Sequence, residues 1–119
     1  MKVCIPVTPD GMVGPRFGRA PRVAVATITG DVLSDWQEFD VLWDVTHDGG
    51  TEGAHHARVA RFLKDHEITV VAARKMGVGM QRMLGSMHIR VAHDCTGDAR
   101  RAAQSVVSAP TLGDLDEHR

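Results

Sequence analysis

Two short apolar runs, each set behind a helix-patterned segment, restrict most strongly what this chain can fold into. Ile68–Ala73 is an apolar run bounded by polar residues. The segment before it, from about Glu52 to Asp65, groups Val59, Ala60, Phe62 and Leu63 on one side and Arg58, Arg61 and Lys64 on the other, the pattern of an amphipathic helix. Thr51 stands where a capping hydroxyl is needed, and Glu52 suits the positive end of the helix dipole. The second run, His88–His93, follows Met80, Met83, Leu84 and Met87 at helical spacing. Strands buried on both faces lose the polar–apolar alternation of a one-sided sheet. A strand, helix and strand in succession pair in parallel through a right-handed crossover. A sheet flanked by helices is therefore expected.

The remaining segments complete it. Val3, Ile5 and Val7, with Cys4 between them, read as a short buried strand ending at Thr8-Pro9-Asp10-Gly11. Arg22–Thr29 and Val32–Val41, joined by Gly30-Asp31, read as a hairpin. Thr96 is expected to cap a last helix over about 97–107. The order β, β-hairpin, α, β, α, β, α predicts an α/β fold: a mixed five-stranded sheet with helices on its faces, three layers of ribonuclease H-like topology. Residues 1–107 form one expected domain and 108–119 a flexible acidic tail. Segments 8–21 and 44–50 are expected loops. Phe17 between Arg16 and Arg19 argues that the first is docked.

Charge and composition exclude several function classes. With 14 Lys and Arg against 15 Asp and Glu, the net charge is −1, which offers no footprint for nucleic acid or an anionic membrane. No apolar run approaches the ~20 residues that span a bilayer. Two cysteines, Cys4 and Cys95, make no disulfide framework and point to a reducing, cytoplasmic setting. Enzymatic signatures are missing: there is no Gly-x-Ser-x-Gly elbow, and the first strand carries no carboxylate for a two-magnesium nuclease site. A non-enzymatic binding role is expected.

With the first strand pointing up, loops 8–21, 44–51, 76–80 and 93–96 converge on the carboxyl edge of the sheet, where open α/β sheets bind ligands. His55 and His56 flank the apolar stripe of their helix at this rim, and His47, His93 and Cys95 are placed to reach it. Imidazoles there can ligate a metal or cluster, or serve as hydrogen-bonded fillers at a helix start. Gly77-Val78-Gly79 opens a helix, so it suits either an anion or a tight turn. Arg16 and Arg19 suit an anionic ligand or a braced loop. The methionine row suits core packing, and Cys4 lies in a buried strand.

The segments Met1-Lys2-Val3-Cys4-Ile5-Pro6-Val7 and Gly14-Pro15-Arg16-Phe17-Gly18-Arg19-Ala20-Pro21 resemble the amino-terminal signature of the dinitrogenase iron–molybdenum cofactor-binding domain family. Gly53-Ala54, Met76-Gly77-Val78-Gly79-Met80, Leu84, Ile89, Val91 and Asp98–Ala103 extend the resemblance over residues 1–107. It implies a ribonuclease H-like fold and a protein that carries an iron–sulfur or iron–molybdenum-type cluster without turnover, in contact with cluster-assembly proteins. Members close to the nitrogenase machinery often have histidine before Phe-Gly; Arg16 stands there, as in many stand-alone members. The expected metal ligands are His55, His56, His47 and Cys95. Arg16, Phe17, Gly18, Arg19, Gly77 and Gly79 are expected to contact the cofactor. The alternative expectation is a module for a small anion or a protein partner, without metal.

Overall fold

A computed structural model describes residues 1–48 and 51–108. Its centre is β1 (Lys2–Pro6), whose side chains alternate between two separate apolar layers. β2 (Arg22–Thr29) pairs with it antiparallel, Cys4 opposite Val25, and β3 (Val32–Asp40) continues the hairpin. β4 (Val70–Ala72) and β5 (Arg90–Ala92) add in parallel on the other side. The five strands run in the order β3-β2-β1-β4-β5. The expected mixed α/β sheet is present, and β1, β3, β4 and β5 all end at one edge.

Helices cover both faces. On one face lie α1 (Trp43–Asp48), α2 (Glu52–Asp65) and α3 (Val78–Ser86). They bury Trp43, Val59, Leu63, Met80 and Leu84 against Cys4, Val23, Val25 and Val71. On the other lies α4 (Ala99–Ser108), which sets Ala99, Ala102, Ala103 and Val106 on Val3, Ile5, Ala24, Ala26, Val70 and Ala72. Those four positions repeat at helical spacing, and Val7 and Val13, with Leu33, Trp36 and Cys95 packed beside them, complete this layer. Among the described residues no helix is long and apolar enough to cross a membrane.

Several boundaries differ from expectation, each for a local reason. The segment 43–48 is helical rather than looped, because Trp43 turns into the core and the chain enters through Leu42 at φ 54°. The cap of α4 is Asp98, not Thr96. The Asp98 carboxylate accepts from Arg101 N at 2.9 Å, while Gly97 at φ 81° stands outside helical geometry. Thr51 caps α2 as expected, accepting from Ala54 N at 3.0 Å. Apart from Ser108, the expected tail lies outside the described residues.

β4 and β5 are shorter than their apolar runs because the first residues of each run close the preceding helix. Glu67 (φ 55°) and His88 (φ 59°) adopt the left-handed conformation. Beyond them Ile68 N donates to Leu63 O and Ile89 N to Leu84 O, both at 2.9 Å. Glu67 N and His88 N donate to Lys64 O and Gly85 O, each at 3.1 Å. These are two Schellman endings with the usual apolar contact, built without glycine.

The hairpin tip is pinned from the opposite layer. The Gln104 side-chain oxygen accepts from Leu33 N at 2.9 Å, and its amide donates to Asp31 O. One α4 side chain thereby occupies the start of an edge strand that would otherwise offer free backbone groups.

Because a left-handed residue with a Cβ is strained and glycine is not, Glu67→Gly and His88→Gly should each stabilise the fold by about 0.5–1 kcal/mol. Urea denaturation should show a higher midpoint with an unchanged slope. A lower midpoint for both variants would contradict the Schellman assignment.

Candidate functional site

The carboxyl edge holds a cleft of about 400 Å³ between segment 16–19, the first turns of α2 and α3, and the turn joining β4 to α3. Segment 16–19 has its position from Phe17. This residue opens a single 3-10 turn (Phe17–Arg19) and is fully buried. Its ring meets Trp43 edge-on, with centroids 5.4 Å apart. Trp43 N donates to Ala20 O at 3.0 Å and Phe17 N to Lys75 O at 3.3 Å. The aromatic anchor thus ties the segment to α1 on one side and to the β4–α3 turn on the other. With Phe17 inside, Arg16 and Arg19 are left exposed at the cleft, joined by exposed Lys75.

The histidine pair sits at two depths. His55 lies one and two turns before Val59 and Leu63 on the core-facing stripe of α2, and is only 2% exposed. His56, about 100° further round the helix, is half-buried at the mouth, its Nε2 3.8 Å from Glu52 Oε1. The two ring centroids are 6.0 Å apart. Both imidazoles line the cleft.

Two glycines allow this closeness. A Cβ on Gly79 would stand 3.1 Å from His56 Cε1 and 3.7 Å from Glu52 Oε1. A Cβ on Gly18 would stand 3.3 Å from Met80 Cε and 3.8 Å from His55 Nε2. Gly77 meets nothing within 4 Å. It is the N-cap of α3 and supplies no side-chain acceptor, so the first turn of that helix brings its positive end to the cleft.

The structure therefore gathers Arg16, Gly18, Arg19, His55, His56, Gly77 and Gly79. Of the other expected residues that are described, Phe17, Cys95 and His93 are not gathered there. Phe17 is the buried anchor of its segment rather than a contact surface. Cys95 is half-buried with the α4-side layer, its thiol 3.4 Å from Ala92 O and outside the cleft lining. The backbone there explains it: Asp94 at φ 59° and the bond from Cys95 N to Ala73 O direct the chain under α4. His93 is exposed and also outside the lining. The His47 side chain lies outside the described residues. Among the described residues, no three of His, Cys, Asp and Glu group as a metal site. Sequence reasoning missed Lys75, Glu52 and Met80 as lining residues. Lys75 was recoverable, because it lies in the turn just beyond the strand that ends at the rim, three residues past Ala72.

Two outcomes are expected. Gly79→Ala gains helix propensity of about 0.5–1 kcal/mol yet must push the half-buried His56 ring aside, whereas Gly77→Ala has room. Imidazole resonances of His56 should move in the first variant and stay in the second; equal behaviour would refute the cradle. The two thiols should also differ. Burial raises both pKa values, completely enclosing Cys4; for Cys95 the Ala73 hydrogen bond partly opposes that rise and nearby Asp94 adds to it. Alkylation of native protein with iodoacetamide, followed by peptide mapping, should label Cys95 slowly and Cys4 only on unfolding.

The solved structures that resemble this chain share its fold at low identity. PH0822 superposes with a TM-score of 0.73 at 21% identity, over 91% of this chain and 89% of its own. The apo form of the orange protein from Desulfovibrio gigas gives 0.68 at 20%, over 95% and 88%. TM1290 from Thermotoga, described as a candidate NifB protein, gives 0.67 at 19%, over 91% and 88%. A search of curated proteins returned no match. The family model described as dinitrogenase iron-molybdenum cofactor matches residues 1–109, spanning the sheet, the described helices and the cleft. The chain belongs to the dinitrogenase iron–molybdenum cofactor family.

Proposed function

We propose that the cleft receives an anionic iron–sulfur or iron–molybdenum-type cluster as cargo, and that the protein is a non-enzymatic carrier or accessory factor working in the cytoplasm with cluster-assembly proteins. The observation that carries this reading is the placement of His55 and His56 in one cleft with Arg16, Arg19 and Lys75. Imidazole nitrogen is a good donor to iron. The guanidinium and ammonium groups offset the negative charge of a sulfide-rich cluster, and the start of α3 adds to them. Gly18 and Gly79 keep the walls low beside the imidazoles. Family membership and the fold shared with the orange protein agree with it. The strand order, with β2 alone antiparallel to β1, supports a ribonuclease H-like fold for the domain at 1–107. A set of two imidazoles, at two depths, suits a cargo that must also leave.

A second reading uses the same cations for a small phosphate-bearing metabolite, without metal. The exposed Arg16 and Lys75 beside the α3 terminus favour it.

Protein purified without oxygen and supplied with iron and sulfide should acquire both in near-stoichiometric ratio, with visible absorption. The H55Q/H56A double variant should lose that uptake while circular dichroism stays unchanged. Arg16→Ala should weaken retention by about tenfold, as loss of one charge-assisted contact implies. Colourless protein that refuses the cluster, together with a thermal shift from nucleotides or sugar phosphates, would favour the second reading.

A further inference from the structure

Beside the cleft lies a second, apolar groove of about 200 Å³, walled by Pro6, Pro9, Pro15, Pro21 and Ala20, with Arg16 and Arg19 at its side. The two arginines line both hollows. The four proline walls are rigid and carry no N–H, and the N–H groups of Val7, Thr8, Gly14 and Ala20 already donate to Arg22, Met12, Pro6 and Phe17 carbonyls. The lining therefore leaves few backbone donors for strand pairing, and an occupant binds chiefly through its side chains. Among the described residues no carboxylate lines this groove, while Arg16 and Arg19 do. Apolar walls next to exposed positive charge complement an apolar side chain followed closely by acids.

We propose that this groove docks a short acidic, apolar segment of a partner protein, with a leucine-sized side chain among the prolines and a carboxylate on Arg16. Where the neighbouring cleft holds its proposed anionic cargo, the inference places donor or acceptor at the mouth of that cleft. Arg16 then serves both cargo and partner, so docking draws a cation away from the cargo. The rigid walls keep the ordering cost of binding small, and a single ion pair with one apolar anchor predicts weak, rapidly reversible contact.

The test uses cargo-free protein, which separates it from cluster uptake: either reading can fail while the other stands. Titration with acetyl-Gly-Leu-Asp-Glu-Gly-amide, followed by amide NMR, should give saturable shifts at Val7, Gly14 and Ala20. The basic peptide acetyl-Gly-Leu-Lys-Lys-Gly-amide should give none there. Arg16→Glu should reverse that preference. Pro9→Glu, which adds a negative charge to the groove at an exposed position outside the cleft lining and away from Arg16 in the chain, should remove acidic-peptide binding and leave iron and sulfide uptake as it was. Equal shifts from both peptides, or no saturable shift at the groove amides, would overturn the proposal.

Discussion

The burial of Phe17 against Trp43 is the contact on which the site depends. Segment 8–21 contains three prolines and three glycines and forms no strand or α-helix. What holds its end in place is one aromatic ring, fully buried, meeting Trp43 at an interplanar angle of 71°. Edge-to-face pairs of this kind contribute about 0.5–1.5 kcal/mol beyond the area they bury. The chain of contacts continues from Trp43 to Phe62, and from Phe62 to Phe39 and His66. Segment, α1, α2 and β3 are thereby packed as one unit. Arg16 and Arg19 face outward because the residue between them faces in.

The fold was legible where burial imposes a period, and opaque where one backbone angle decides. The runs at 68–73 and 88–93 read as strands, the first of them buried, and their parallel order follows from the helices between. Their true starts were hidden, since Glu67 and His88 give no sign of the left-handed conformation that glycine or asparagine would announce. α1 was hidden for another reason: its six residues are too few to show a hydrophobic period, and its formation depends on a tertiary partner for Trp43. Cys95 illustrates the same limit at the site. Its position at the rim was foreseen, but the face of the sheet it joins depends on Asp94 and the bond to Ala73 O.

Charge shows a similar split between whole and part. A net charge of −1 correctly describes the chain and conceals the cleft, where Arg16, Arg19 and Lys75 meet with Glu52 as their acidic neighbour. Composition cannot report such a gathering, because the three cations come from two separate segments brought to one edge. Sequence reasoning brought segment 8–21 to that edge with Arg16 and Arg19, but not Lys75.

The division of labour between His55 and His56 follows from helix geometry alone, and it bears on how a cargo would be held. Adjacent helical residues point about 100° apart, so one imidazole falls on the core stripe and the other at the mouth. His55 is fixed by its surroundings, while His56 sits beside Glu52 and over a glycine. A ligand entering the cleft meets the adaptable ring first and the fixed ring last. Leaving reverses that order: the outer contact can be exchanged for one from a partner while the inner contact still holds. A closed set of four protein ligands, such as structural zinc sites use, would stabilise the bound state and offer no such intermediate. On the proposed reading, the small ligand set and the electrostatic remainder of the cleft are what make release to a partner feasible.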